Sequence, residues 1–309
     1  MKLRRGAPLA GAAGVLLAIA VASAGASPAA GPHVCSGKFH KPGLLKGTYP
    51  NGVVVKGVCA VTSGPAHVIG TLTVTKGSAL GAVFGAHHSS LKVTGNLVVG
   101  KDAVVLLGCK VNPNGTGLPC KDDPNPKHPT LTSHGSVSGS IIEKSALGVI
   151  VHNSAIGKNV TQTGGGGGIS CKPPKAGVFA KIKSPVYSDY EDSSIGGNLT
   201  VKLLRTCWLG VARVKIHGSA TISRNKTKDP DAVEVLANHV SKNLSCNGNS
   251  HPSGEPPHSL PIWDSAETVK LPKIYPRVSE PNTVGGKRSG QCVIASPIKP
   301  GGPPAAKHF

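Results

Sequence analysis

One short unit constrains the fold of this chain more than any other feature. It reads GNLVV at 95–99 and GNLTV at 197–201, with related copies at 70–74 (GTLTV), 139–143 (GSIIE), 157–162 (GKNVTQ), 218–222 (GSATI) and 242–246 (KNLSC). Most neighbouring copies lie roughly 20 to 25 residues apart, a period that marks solenoids and related arrays. Two gaps, Gly95 to Gly139 and Gly157 to Gly197, are close to twice that length and are read as hiding two poorly conforming copies. A second motif keeps the same phase: KGSALGAV (76–83), KDAVVLLG (101–108) and EKSALGVI (143–150) each follow a glycine-centred unit.

Within each unit apolar and polar residues alternate with period two, the signature of a strand with one buried face. Leu72, Val74, Leu97, Val99, Leu199, Val201 and Ile222 point one way; Thr71, Thr73, Asn198, Thr200, Ser219 and Thr221 point the other. Strands this short and this far apart cannot pair through hairpins. Stacked coils solve the problem, because each strand then pairs in parallel with its copies above and below. The expected fold is all-β, a right-handed parallel β-helix (β-solenoid) with disulfide-pinned loops and an irregular C-terminal cap, the hand following from the preference for right-handed parallel crossovers. A β-sandwich, the alternative, calls for hairpin loops of about two to five residues. Gly and Asn are expected at corners where the backbone needs positive φ. Only four Phe, four Tyr and two Trp are present, which suits a narrow aliphatic core repeated many times.

Residues 1–26 read as an export signal peptide: Lys2, Arg4 and Arg5 precede an apolar stretch from Leu9 to Ala24, and Ala24-Gly25-Ala26 supplies the cleavage site. No later stretch is apolar enough to span a bilayer, so the protein is expected to be secreted, extracellular or associated with the cell wall, and not membrane-spanning. Residues 27–51 are assigned to an N-terminal cap segment, 52–248 to the solenoid, and 249–309 to a Pro-rich irregular cap and tail. Eight cysteines in an exported chain indicate disulfides. With no Cys-x-x-Cys pair and no Cys/His set at zinc spacing, neither a metal nor a cofactor is expected. Two stretches leave the repeat: 110–133, a Pro-, Asn- and Lys-rich loop expected to be pinned by Cys109 and Cys120, and 163–192, which opens with Gly164 to Gly168, read as a flexible linker.

The copies GNLVV, GGNLTV and KNLSCNGN, the cysteine in GVCAV and the segment PNTVGGKRSGQC resemble a large family of secreted actinobacterial proteins built from V-x-G-N-V/L-x-V units, over roughly Cys35 to Cys292. The resemblance implies a solenoid with a cysteine pair at each end and carries no activity to transfer. The pairing expected here is Cys35–Cys59, Cys109–Cys120, Cys171–Cys207 and Cys246–Cys292, one of about 105 connectivities open to eight cysteines. Glu143 and Gln162 depart from the family by placing polar groups on the inward phase, where an interruption of the coil is expected.

No catalytic signature stands out. RVKIHG at 213–218 alternates outward cations with inward Val and Ile, a solvated strand face. Asp122 and Asp123 lie in the Pro-rich loop, and glycoside hydrolysis needs two carboxyls facing each other across one bond. The densest acidic cluster, YSDYEDSS, supplies Tyr187, Asp189, Tyr190, Glu191 and Asp192 as candidate ligand-binding residues, placed on an excursion. The formal charge is +20. Lys172, Lys175, Lys181, Lys183, Lys287 and Arg288 are the candidate contacts to anionic cell-wall polymers or glycans; lacking interleaved aromatics, they do not suit nucleic acid. These features favour a non-catalytic, envelope-associated structural or adhesive solenoid. A carbohydrate-active β-helix enzyme, lyase or hydrolase, is the alternative, and a groove lined by converging acids is the feature that separates the two. Oligomeric state is not legible.

Overall fold

The computed structural model describes residues 31–82, 89–108, 134–228, 233–236, 238–250 and 282–293. The expected leader and the Cys109–Cys120 pair lie outside them. The fold is a parallel β-helix. Each coil runs through three faces: a first that holds the repeat unit (Leu97–Val99, Ile141–Lys144, Val160–Thr163, Leu199–Lys202), a second (Val104–Leu107, Gly148–His152, Tyr187–Glu191, Trp208–Ala212) and a third (His134–Val137, Ser154–Ile156, Ser194–Ile195, Lys215–Ile216). Every strand pairs in parallel with its copies in the adjacent coils, the first two faces merging into one 17-stranded sheet and the third forming a nine-stranded one. The ladder extends past both ends of the 52–248 span: His33–Gly37 pairs with Val53–Gly57, and Arg288–Gly290 pairs with Leu244–Cys246.

The two long gaps hold no hidden copies. Leu97 pairs directly with Ile141, and Val160 directly with Leu199, so each gap is one coil carrying an insertion. The second insertion is ordered. Gly164 to Gly168 is a tight turn, not a flexible linker: all five residues have positive φ, and the N–H groups of Gly164, Gly166 and Gly168 donate to the carbonyls of Lys202, Ala146 and Arg205. A Cβ on Gly165 would lie 2.0 Å from the Ala146 carbonyl oxygen, so only glycine fits. The insertion continues into a five-residue helix, Gly177–Lys181, whose buried Phe179 packs on Ala79, Val104 and Val186 over the second face. Cys171–Cys207 ties it to the coil.

The core is a set of in-register columns. Leu72, Leu97, Val160, Leu199 and Leu244 are all fully buried, as are Val201 and Ile222. The column Cys35–Val55–Val74–Val99–Glu143–Gln162–Val201–Ile222–Cys246–Gly290 runs the length of the ladder. Cys35 at its first position and Cys246 next to its last belong to the end disulfides, Cys35–Cys59 and Cys246–Cys292, both paired as expected.

The Gly-Asn pair has a different origin from the expected one. Gly95, Gly139, Gly197 and Gly218 are absent from the positive-φ residues. They are glycine because neighbouring coils nearly touch there: a Cβ on Gly197 would lie 2.3 Å from Asn159 Oδ1, and one on Gly218 2.3 Å from Asn198 Oδ1. The asparagine side chain accepts a hydrogen bond from the backbone of the next coil. Ser140 N–H donates to Asn96 Oδ1, Asn198 N–H to Asn159 Oδ1, Ser219 N–H to Asn198 Oδ1 and Lys287 N–H to Asn243 Oδ1, each at 2.8 Å. Where serine replaces asparagine its hydroxyl takes the role, at 3.3 Å to Asn159 N and to Asn243 N.

Asn198→Ala is therefore expected to cost about 1 kcal/mol, one net hydrogen bond. Gly197→Ala is expected to cost about 1–3 kcal/mol by overpacking, although its backbone φ tolerates alanine. Urea denaturation of both variants checks this; a neutral Gly197→Ala overturns the close-approach explanation.

Candidate functional site

The acidic cluster lies on a strand of the coil rather than on an excursion. Tyr187–Glu191 is sandwiched on the second face between Gly148–His152 and Trp208–Ala212, with Ile150, Asp189 and Gly210 in one register and His152, Glu191 and Ala212 in another. The pleat divides the candidate residues. Asp189 and Glu191 share the outward phase with His152, while Tyr190 points into the core. Tyr187 stacks among aromatics, its ring centroid 5.9 Å from Phe179 and 5.8 Å from Trp208. Gly210 leaves the room this needs, since a Cβ there would meet the Trp208 ring at 2.3 Å and Asp189 Oδ1 at 2.4 Å.

At the following corner the chain turns through left-handed residues stacked on one another: Asn153 (φ 44°), Asp192 (φ 48°) and Arg213 (φ 55°). Stacking brings Arg213 onto the acids. Its Nε donates to Asp192 Oδ1 at 2.7 Å, and its Nη2 donates to Asp192 Oδ2 at 3.0 Å and to Glu191 Oε2. His152 Nε2 lies 2.8 Å from Asp189 Oδ2, and its Nδ1 lies 3.9 Å from Glu191 Oε2. His152 is fully buried, and Asp189 and Glu191 nearly so. Arg213 is thus an ion-paired corner residue and not part of a solvated strand face, whereas Lys215 and His217 beyond it are exposed as expected. Neither His152 nor Arg213 is marked by a local motif. Their signal is columnar: HNS at 152–154, EDS at 191–193 and ARV at 212–214 occupy the same positions in successive coils.

Burial pushes the Glu191 and Asp192 carboxyls upward, against the opposing charge of Arg213. For His152 burial works downward, but the charge of Asp189, its hydrogen bond, and the charges of Glu191 and Asp192 outweigh it and hold the imidazole above its usual value. The corner borders an open groove of about 750 Å³ lined by His134, Ser136, Ala155, Asp192, Ser194 and Arg213. The six candidate lysine and arginine contacts do not gather there. Lys172, Lys175, Lys181 and Lys183 are exposed on the insertion over the second face, while Lys287 and Arg288 sit on the last coil of the first face. Arg288 is committed to the Asn282 carbonyl oxygen. Outward hydroxyls on the first face, Thr161–Thr200–Thr221–Ser245, stand in register, and the row is interrupted below by Val98 and Ile142.

The coil is not interrupted at Glu143 and Gln162. Tyr190, entering the core from the opposite face, places its hydroxyl 2.9 Å from Gln162 Oε1 and 3.2 Å from Glu143 Oε1, and Gln162 Nε2 donates to Ser188 Oγ at 2.9 Å. A tyrosine has one proton to give. Donating it to Gln162 leaves a lone pair for Glu143, which suits a neutral carboxylic acid; burial holds the Glu143 carboxyl well above its usual value in agreement.

No protein-family model, curated protein or solved structure matches the chain.

Because the folded Glu143 carboxyl titrates above its unfolded value, the stability it contributes is complete below the ordinary glutamate value of 4.5 and is lost as pH rises through the raised folded value. Glu143→Gln keeps a donor toward Tyr190 without the ionisation. Its melting temperature is expected to match that of the unsubstituted protein near pH 4 and to exceed it increasingly toward pH 8, by about 2–4 °C for each kcal/mol recovered. Parallel melting curves across that range place Glu143 in the charged state if the difference is flat.

Proposed function

We propose that this is an exported, non-catalytic solenoid of the cell envelope that holds an extended anionic polymer along the groove of its third face. One observation carries the reading. The outward residues of that face stand in register as His67–Lys92–Ser136–Ala155–Ser194–Lys215–His239, so the small groove floor of Ser136, Ala155 and Ser194 is bracketed by an exposed lysine one coil before and one coil after. Coils about 4.8 Å apart set the two lysines about 19 Å apart along the axis, a span suited to a chain of sugars laid along the stack. The excess of cations in the whole chain supports an anionic partner through long-range attraction. Three disulfides fit an oxidising compartment. Among the described residues no helix is long and apolar enough to cross a membrane. Membership in the secreted actinobacterial solenoids with the G-N-L-x-V repeat belongs to the same proposal.

The carbohydrate-active alternative gains from the acids beside the groove. Against it, Asp189 and Glu191 are nearly fully buried, Glu191 and Asp192 are clamped by Arg213, and only Asp192 lines the groove. Hydrolysis of a glycosidic bond needs two carboxyls flanking it.

Co-sedimentation with isolated cell walls tests the reading. Retention is expected at low salt and release by roughly 0.5 M NaCl, where the screening length falls well below the ~8 Å of physiological ionic strength. Lys92→Glu combined with Lys215→Glu is expected to abolish retention, while glutamates at Lys172, Lys175, Lys181 and Lys183 leave most of it. The reverse order moves the contact to the insertion, and salt-resistant retention favours a specific glycan site of the enzyme type.

A further inference from the structure

We infer that the corner formed by His152, Glu191 and Asp192 is a binding site for a divalent transition metal of the zinc class, with Arg213 as its internal competitor. The inference is independent of the polymer reading. One donor atom from each of the three residues falls within 4.8 Å of the other two. The donor set, one imidazole nitrogen and two carboxylates, is of the kind that holds zinc with a coordination position left open.

Acids gathered at a corner do not make a site, but His152 adds an independent indication. Its ring is fully buried, its Nε2 is engaged by Asp189 Oδ2 at 2.8 Å, and its Nδ1 has no hydrogen-bond partner among the described residues. That atom is aimed at Glu191 Oε2, 3.9 Å away. The separation is too long for a hydrogen bond, yet a zinc ion with bonds of about 2.0–2.2 Å to nitrogen and oxygen reaches both atoms. Asp189 stands behind the imidazole as the carboxylate does in a carboxylate–histidine–metal relay, fixing the tautomer that leaves Nδ1 available. Asp189 Oδ1 is a second buried atom with no hydrogen-bond partner among the described residues. Charge points the same way. Asp189, Glu191 and Asp192 bring three carboxylates to one corner, and among the described residues Arg213 is the one permanent cation bonded to them there, by way of Glu191 and Asp192. A divalent ion supplies what is missing, and buried charge persists only when it is paired or bound to a metal. Since Arg213 holds the same two carboxylates that would bind the ion, metal entry requires its guanidinium to release at least one of them toward the groove it lines. The sequence offers no zinc-like spacing because the ligands come from two coils and meet only through their stacking.

The test uses the full mature chain carrying no polyhistidine tag, titrated with zinc chloride after chelator treatment, with bound metal counted by mass spectrometry and affinity measured by competition with a chromogenic chelator. One zinc per chain is expected. His152→Gln is expected to abolish it and Asp189→Asn to weaken it about tenfold or more, the usual effect of losing such an outer partner. Arg213→Gln is expected to tighten binding by about tenfold or more, one unpaired competing charge being worth at least that factor. Circular dichroism and melting curves without metal establish that each variant is folded. Cobalt substitution gives a readout separate from stability: a visible d–d band is expected in the unsubstituted and Arg213→Gln proteins and not in His152→Gln. Absence of stoichiometric zinc from both the unsubstituted and Arg213→Gln proteins overturns the site. So does zinc retained undiminished by folded His152→Gln, which would be held by other histidines, or weaker binding by folded Arg213→Gln, which would make the guanidinium a support and not a competitor.

Discussion

The distance between successive coils governs everything else in this molecule. Each strand satisfies its backbone by meeting its own copy about 4.8 Å away, so whatever occupies a position in one coil confronts its counterpart in the next at nearly the closest approach that chains allow. At the entrance to the first face the sequence answers with two devices used together. A glycine removes the side chain that would strike the neighbouring coil, and the asparagine or serine after it turns its side-chain oxygen along the stack to accept the next backbone N–H. From Asn96 through Ser140, Asn159, Asn198, Ser219 and Asn243 to Lys287 this chain of acceptors has no break. Buried asparagines use the same device in the opposite direction, Asn225 N–H donating to Asn249 Oδ1 and Asn238 N–H to Asn282 Oδ1.

The same rule explains where the core tolerates departures. A column has a neighbour on both sides in its interior and on one side at its ends. The column is closed covalently at Cys35, its first position, and at Cys246, next to its last, near where the ladder runs out of partners and unfolding would begin. The polar pair Glu143–Gln162 lies mid-column, where Tyr190 and Ser188 from the second face supply hydrogen bonds within a dry interior. Insertions obey the rule as well. They leave between strands, so the register of the coils on either side is preserved, as it is from Leu97 to Ile141 and from Val160 to Leu199.

Period two and the phase-locked motifs were enough to read the architecture and the inward columns, because each is a local property of the sequence, whereas an even cysteine count left the pairing open and the end pairs were what the family resemblance implied. What stayed hidden depends on stacking. Gly197 looks like a turn glycine until Asn159 is seen 2.3 Å from its absent Cβ. Gly164 to Gly168 looks like a linker because composition carries no trace of the coils that grip it. Tyr187–Glu191 was assigned to an excursion since it follows one without a break, and its membership in the ladder rests on pairing with Gly148–His152, about forty residues earlier, and with Trp208–Ala212. For the candidate site the acids were visible, but their partners His152 and Arg213 were not, being separated from them by 37 and 21 residues in the hydrogen bonds that join them.

Left-handed backbone at Asn153, Asp192 and Arg213 could be taken for functional strain, since a side chain in that region costs roughly 1–2 kcal/mol. The corner between the first and second faces argues otherwise. Asp102, Ser145, Leu203 and Arg224 adopt the same conformation there, in line with glycines at Gly164 and Gly248. Positive φ is therefore what the corners on either side of the second face demand, whatever residue stands in them. The corner at Asp192 differs in what its side chains do: they face one another along the stack, join the outward phase of the second face, and leave His152 Nδ1 and Asp189 Oδ1 buried without partners. Backbone strain recurs at both corners of the second face, but unpaired buried polar atoms are uncommon in native proteins and call for a specific explanation. In a solenoid, then, function is better sought along columns of side chains with unmet demands than at the places where the chain itself is bent.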